Sequence, residues 1–518
     1  MLLGIDFGTC NSFLTTMLGE DAYTGITQPE TGIPTVLFCD STGVEYCGEE
    51  AVQYSATRPQ DLIVELKRKI REDGNLLNED GQAVFQSGGK SYSTSEAVEI
   101  IMKYLIDNAV NMVEKQELPK NVSRKVERVV VTTPVGLGEK KNSATQYNSF
   151  LAKIVEKVTG LSQENIHILE EPKAAALAYL KAHNIGENQT ILVYDLGGGT
   201  LDVSIVEYKV FTNEYLVKSN KGHTALGGID WDNALAELVY SKGGMRPMSP
   251  KDVAAFKQEI IRAKHMLSDT RRDAFGEHIS YLVDDRVSDV KITREEFDEA
   301  TKNLLDDTLE VVKQALVDYH DDEDIFGVDK IILVGGASQM PQIKEGLLKG
   351  FPLLREEDIV LYKPSTAISI GAAYYADMKQ HPTPKKVVDC ASHTYGIECL
   401  MGEDDDRETR ISNIILKDTP YKNGVLTAKH EGAYTPTKDN QQLVRISVYE
   451  HDEKEEDSDL IAGRYRGDSC EISVPYEFYS KNKSRDFSFY VRLTLKNNII
   501  EIEVTDEEGN VIPHVNGT

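Results

Sequence analysis

Two stretches far apart in the chain share one pattern, and that pattern constrains the fold more than any other feature. "GIDFGTCNS" (Gly4–Ser12) and "LVYDLGGGTLDVS" (Leu192–Ser204) each read as an apolar strand, an aspartate, a glycine turn and a second β-rich run. One such unit is compatible with many folds. Two of them in matched contexts predict a duplicated α/β core, with two lobes facing each other across a cleft and ligand chemistry where the strands end.

The segments between and after the repeats fit that expectation. "SEAVEIIMKYLIDNAVNMVEKQ" from Ser95 has helical spacing and a serine–glutamate start, and "KVERVVVTTPVG" reads as a buried strand ending at Pro134. A helix is expected from about Glu139 to Val158, then an "IHILEEP" strand and the alanine-rich helix "KAAALAYL". After the second repeat come "WDNALAELVY", "DVAAFKQEIIRAKHMLSD" and "TREEFDEATKNLLDDTLEVVKQALVDY", all helical in period, followed by a third strand-to-turn unit, "KIILVGGASQMPQIKEGL", and "STAISIGAAYYADM". The lobes are expected over 1–185 and 186–380, within one nucleotide-binding unit of 1–380. "KQHPTPKK" opens a linker placed at 381–390. Beyond it "NQQLVRISVYE", "DSCEISVPYEF", "DFSFYVRLTLK" and "NIIEIEVTDEEG" alternate at period two, predicting a β-sandwich over 391–518.

Composition narrows the function classes. Acidic residues outnumber basic ones, 85 to 57, for a formal charge of -28, which disfavours a nucleic-acid or anionic-membrane partner. The runs "GEDDDRE" and "HDEKEEDSD" read as solvated loops, with partner sites as the alternative. Six cysteines without a CxxC pair fit a reducing compartment, and neither a signal peptide nor an 18-residue apolar run is visible. The expected setting is cytoplasmic, and the expected state a monomer.

The glycine turns suit phosphate. Polyphosphates need backbone N–H donors at close approach, which Gly8 with Thr9, and Gly197, Gly198 and Gly199 with Thr200, can supply, the hydroxyls adding a donor. A plain structural turn is the alternative for either one, and the matched pair favours phosphate. Asp6 and Asp195 occupy corresponding places before the turns. Two carboxylates beside a polyphosphate call for a cation, and Mg2+ held largely through waters is the natural choice. The competing reading has each aspartate accepting local backbone bonds.

Taken together and in this order, "GIDFGTCNS", "VYDLGGGTLDVS", "EEPKAAALAY", "LGGIDWD" and "LVGGASQMP" are specific, and on them the chain resembles the 70-kDa heat-shock protein (DnaK-like) chaperone family, without that family's C-terminal helical lid. The resemblance implies an actin-like, two-lobed ATPase domain with a duplicated ribonuclease-H-like core, followed by a β-sandwich that binds exposed hydrophobic peptide segments under control of Mg-ATP hydrolysis. By the same resemblance Asp6, Asp195 and Glu171 hold Mg2+ mainly through water, and Lys67 in "ELKRKI" orients the attacking water, with a solvated helix lysine as its local alternative. Thr200 contacts the terminal phosphoryl group, and Asp202 lies near the water network. Lys264, Ser268, Gly335 and Gly336 fall on the nucleoside side of an ATP/ADP site. Pro134 resembles a switch proline whose arginine partner is replaced by Asn142.

Departures cluster on the adenosine side. Ile261, His265, Gln339 and Ser365 stand where the family has glutamate, arginine, arginine and aspartate, removing planar guanidinium stacking. Cys10 replaces a threonine beside the phosphates and reads as a small buried residue, with a redox or metal role as the alternative. The linker offers only Val387 and Val388 as a docking element or strand start. Val444 is expected near a peptide pocket, with Ile411 and Tyr434 at its rim or simply in the sandwich core. Implied partners are extended client peptides, a J-domain cochaperone and a nucleotide-exchange factor. Competing functions are a nucleotide-binding regulatory scaffold with vestigial hydrolysis, a sugar kinase or other phosphotransferase on the same cleft fold, and an actin-like filament protein.

Overall fold

The structure, a computed structural model, describes residues 1–19, 21–24, 31–72, 84–115, 125–135, 144–183, 186–212, 214–271, 276–320, 322–381, 386–388, 390–401, 408–422, 424–451, 457–459, 465–496 and 498–517. Asn142 and most of both acidic runs lie outside these residues.

Each repeat forms a hairpin at the centre of a sheet. Leu2–Asp6, apolar and buried throughout, pairs antiparallel with Asn11–Leu18 and parallel with Arg128–Thr133. Gln189–Leu196 likewise pairs antiparallel with Leu201–Lys209 and parallel with Lys330–Val334. The first sheet runs Ile166–Glu170, Arg128–Thr133, Leu2–Asp6, Asn11–Leu18, Asp21–Tyr23. The second runs Ile359–Leu361, Lys330–Val334, Gln189–Leu196, Leu201–Lys209, Glu214–His223, Lys386–Val388. Over five strands the two orders and senses coincide, two outer parallel strands leading to a central strand and then an antiparallel pair.

Small residues let the two halves close on each other. Helices Glu171–His183 and Ala367–Gln380 lie between the sheets, sharing one apolar cluster that includes Leu2, Val130 and Leu169 of the first sheet and Ile191, Val193 and Ile332 of the second. A Cβ at Gly371 would overlap the Ala174 carbonyl, and one at Gly4 would overlap the backbone of Ser369 and Ala373. The alanine run of "KAAALAYL" is thus the condition for close helix contact. Each half has a second core on its outer side, around Ile5, Leu105 and Leu151 in one and Trp231, Phe256 and Ile343 in the other.

The C-terminal β region sets a six-stranded sheet, with Thr394–Met401 and Leu443–His451 among its inner strands, against a three-stranded sheet of Val425–Lys429, Tyr490–Lys496 and Ile499–Thr505. Val448, Ile472, Val491 and Leu493 are buried in the core of this region. Alternation in these strands puts one face inside, as the period-two pattern predicts.

Two expectations need amendment. The helix expected from about Glu139 is described over Ala144–Thr159, residues 136–143 lying outside the described set. Within the expected linker, Lys386–Val388 joins the second sheet as an edge strand parallel to Glu214–His223, while residues 382–385 and 389 lie outside the description. Edge backbone groups of that sheet gain partners by this pairing.

Candidate functional site

The strand ends of the two central hairpins bring four carboxylates toward one lysine. Asp6 ends its strand, Asp195 lies one residue from the end of its own, Asp202 is paired with Asp195 across the second hairpin, and Glu171 opens the helix Glu171–His183. All four are buried. Lys67 enters from the helix Leu66–Glu72, which follows Glu65 in the left-handed region at φ 56°, an uncommon conformation that places the start of this helix. Its Nζ donates to Glu171 Oε1 at 2.5 Å, with Lys67 2% and Glu171 4% exposed.

Charge balance is the outstanding property of this cluster. Burial, then Glu171, pushes the Asp6 carboxyl up to about 8, with Lys67 pulling the other way. Asp195 is raised well above the carboxylate range by burial first and then by Glu171, Asp202 and Asp6. For Lys67 burial favours the neutral amine, but Glu171, Tyr147 and Asp6 outweigh it and raise its pKa. One ammonium does not neutralise these carboxylates, so the site is suited to gain a cation. Among the described residues no three His, Cys, Asp or Glu side chains are arranged to ligate a metal directly. An ion held through waters and substrate oxygens is the arrangement the donors could support.

The two glycine turns face one another. A Cβ at Gly198 would stand 2.7 Å from Cys10 Sγ, and one at Gly199 would stand 2.8 Å from Thr9 Oγ1. Thr9 and Thr200 are both buried. The second turn is fixed from behind: Gly228 and Ile229, at the start of helix Gly228–Ser241, donate their backbone N–H groups to the Gly197 and Gly198 carbonyls at 2.9 Å each. Arg68, next to Lys67, crosses between the halves, its Nη2 donating to Gly199 O at 3.0 Å and to Asp230 Oδ2 at 2.6 Å. The Gly197 N–H closes the turn on the Thr200 carbonyl at 3.0 Å.

A sequence model of the Hsp70 protein family matches residues 2–466. The chain belongs to this family.

Two links of this Hsp70-family chain join the cluster to its surroundings. Val135 N donates to Asp202 Oδ1 at 2.6 Å, tying the segment at buried Pro134 to the second hairpin. Gly335 adopts φ 82°, where a Cβ would overlap the Leu196 carbonyl and stand 2.5 Å from Asp195 Oδ1, so glycine is required there. Gly336 by contrast is exposed and opens onto free space.

The residues assigned to the nucleoside side are arranged differently. Lys264 is engaged within the protein, donating to Gly228 O at 2.9 Å and pairing with Asp232 at 2.8 Å, and Ser268 Oγ donates to the Lys264 carbonyl at 2.8 Å. Ile261, His265 and Gln339 are exposed and Ser365 is half-buried. Although His265 reaches solvent, the protein packed against its ring, then Lys264, lowers its pKa. Cys10, expected as a small buried residue, reaches solvent at the cleft, although the protein packed around its sulfur pushes the thiol up to about 11. A thiol held protonated is a poor nucleophile and metal ligand.

In the β region Val444 is 9% exposed and Ile411 fully buried, while the half-buried Tyr434 donates its hydroxyl to Ser412 Oγ at 3.1 Å. Ile411 therefore presents no surface to a groove in this arrangement. Sequence reasoning missed Arg68, Tyr147 and Asp230. The signal for Arg68 was its place beside Lys67 in "ELKRKI"; Tyr147 carries no local signal at all.

Proposed function

We propose that this Hsp70-family chain is an ATP-dependent molecular chaperone, in which Mg-ATP hydrolysis in the cleft of an actin-like domain, with a duplicated ribonuclease-H-like core, controls binding of hydrophobic peptide segments by the C-terminal β-sandwich. The single observation that carries this reading is the convergence of two matched hairpins, one from each half, on a buried cluster whose carboxylates exceed its cations. The domain limits proposed are 1–380, a linker at 381–390 and 391–518.

Bound Mg2+ would supply charge neutralisation of the polyphosphate and polarise its terminal phosphoryl group. Asp6, Asp195 and Glu171 would receive the ion through waters, and Gly8, Thr9, Gly198, Gly199 and Thr200 would direct backbone N–H groups and hydroxyls at phosphate oxygens, with Gly197 closing the turn on the Thr200 carbonyl. Lys67, held against Glu171, orients the attacking water and offsets developing negative charge without a covalent intermediate. Extended clients, a J-domain cochaperone and a nucleotide-exchange factor are the partners this reading implies, in a cytoplasmic setting.

One observation favours a second reading, a regulatory scaffold with weak hydrolysis: Lys264 and Ser268 are bonded internally, and Ile261, His265 and Gln339 offer no guanidinium plane to a base. The test is release of a fluorescent hydrophobic peptide from the full chain. Release accelerated by Mg-ATP supports the chaperone, unchanged release with bound nucleotide supports the scaffold, and calorimetry without nucleotide binding refutes both.

A further inference from the structure

Three successive peptide units of the second glycine turn are each held by the carbonyl oxygen, and the third is held differently from the other two. Gly197 O and Gly198 O accept from the backbone N–H groups of Gly228 and Ile229 at 2.9 Å each, at the start of the helix Gly228–Ser241 in the same half. Gly199 O accepts instead from the Arg68 guanidinium, from Nε at 3.2 Å and from Nη2 at 3.0 Å. Arg68 belongs to the helix Leu66–Glu72 of the first half. Among the described residues no backbone N–H reaches Gly199 O.

A trans peptide unit points its C=O and its N–H in opposite directions, and no cis peptide bond occurs among the described residues. Holding the three carbonyls therefore sets the directions of the Gly198, Gly199 and Thr200 N–H groups. Among the described residues no backbone carbonyl accepts from any of these three. The first two units keep their orientation through bonds inside the second half. The Gly199–Thr200 unit keeps its own only while Arg68 reaches across from the first. Packing fixes this contact closely: a Cβ at Gly199 would stand 3.0 Å from Arg68 Nε, and one at Gly227 would overlap the Gly199 backbone at 2.6 Å. Asp230 ties both neighbours of Gly199 together, its Oδ2 accepting from the Gly227 N–H at 2.8 Å and from Arg68 Nη2 at 2.6 Å.

We infer that Arg68 is a positioning residue for anion binding: by holding the Gly199 carbonyl from the opposite half, it orients the Thr200 N–H and completes a set of three backbone donors. A guanidinium on the carbonyl also polarises the peptide unit, which makes its N–H the stronger donor. Two of the donors are thus preformed in one half, and the third is assembled by contact between the halves. The inference rests on the reading above that this turn receives phosphate.

Two measurements on the full chain test it. The sequence has three Gly–Thr units, at 8–9, 199–200 and 517–518, so protein carrying carbonyl-13C glycine and 15N threonine gives one NMR cross-peak for each, with the 199–200 peak assigned by its loss in Thr200→Ser. In Arg68→Ala without ligand, the Gly199–Thr200 peak is expected to move while the Gly8–Thr9 peak holds its place. Mg-tripolyphosphate, which offers phosphate without a nucleoside, is expected to bind Arg68→Ala about tenfold more weakly than the parent by calorimetry, the scale of one hydrogen bond to a charged group. Arg68→Lys, which keeps the charge but not the fork of donors, is expected to recover part of both effects and serves where Arg68→Ala does not fold. An unmoved Gly199–Thr200 peak overturns the positioning role, as does an affinity for Mg-tripolyphosphate within about twofold of the parent's. A moved peak in a chain whose parent binds neither Mg-tripolyphosphate nor Mg-ATP refutes the phosphate reading while leaving the hold of Arg68 on Gly199 standing.

Discussion

Replacing Asp6 with asparagine should stabilise the nucleotide-free protein, and should do so more at neutral than at acidic pH. The Asp6 carboxyl is pushed from 3.8 to about 8 in the folded protein, by burial first and by Glu171 next. Because the folded pKa is above the unfolded one, the folded protein retains a proton that the unfolded chain has released, and stability falls as pH rises between those values and levels off beyond them. For a shift of that size the loss is about 2 kcal/mol at pH 5 and about 4 kcal/mol at pH 7. Asparagine has the same shape and nothing to ionise, so the stability advantage of Asp6→Asn in EDTA should grow by about 2 kcal/mol between pH 5 and pH 7 and stay level above about pH 8. Urea midpoints of the two proteins across this range, followed by far-UV circular dichroism, read the difference. With Mg2+ and nucleotide the order should invert, because a cation favours the ionised carboxyl that asparagine lacks. A stability gap independent of pH would refute the buried-carboxylate account, and an advantage that persists with Mg-nucleotide would remove Asp6 from the ion's surroundings.

Lys67→Ala is expected to lower kcat by about 10²-fold or more with nucleotide affinity within about threefold of the parent, since it removes charge stabilisation but no phosphate cradle; pre-steady-state hydrolysis and calorimetry separate the two. Gly335→Ala should destabilise the protein by about 3 kcal/mol or more, because alanine is strained at φ 82° and its Cβ overlaps the Leu196 carbonyl, a loss visible as a lower denaturation midpoint. Arg68→Ala opens the bridge to Gly199 and Asp230 and should raise the nucleotide dissociation rate about tenfold, consistent with loss of charge-assisted hydrogen bonds; stopped-flow release of a fluorescent nucleotide measures it, and an unchanged rate would contradict a role for the bridge in holding the halves closed.

What the sequence disclosed and what it withheld divide along a physical line. The strand–aspartate–glycine–strand units are local, so both hairpins and the period-two strands of the C-terminal region could be read from order and spacing, whereas the parallel neighbours of the hairpins come only from the fold. The alanine run "KAAALAYL" was legible as a helix, but its reason, the approach of Gly371 to Ala174, involves residues nearly two hundred positions apart. Lys67 looks locally like any helix lysine, and only the tertiary fold buries it against Glu171. Ile411 could not be distinguished from a groove residue, because alternation assigns a side chain to a face without saying what covers that face. Cys10 failed in the opposite sense: its small size and position in a turn suggested burial, whereas the cleft between the halves leaves it in reach of solvent.

Glu170 and Glu171 show how one dipeptide can join the cleft to the sandwich. The first ends a strand and the second opens a helix, so neighbouring carboxylates leave the backbone in different directions. Glu171 meets Lys67 in the cluster. Glu170 turns the other way, pairing with buried Lys173 at 2.8 Å, accepting from Asn220 Nδ2 at 3.0 Å and from the hydroxyl of Ser392 at the start of the β region. Burying that pair costs desolvation energy that its mutual attraction alone seldom recovers, and the added hydrogen bonds are what make the arrangement tenable. One of those bonds comes from Ser392, so the energetics of the strand end that carries Glu171 depend on where the sandwich sits. Lys417, also of the β region, pairs with Asp318 at 3.0 Å on the second half, and Glu450 caps a helix of the first. The sandwich therefore touches both halves through charged groups, and any rotation of one half against the other must break or rebuild a bond to it.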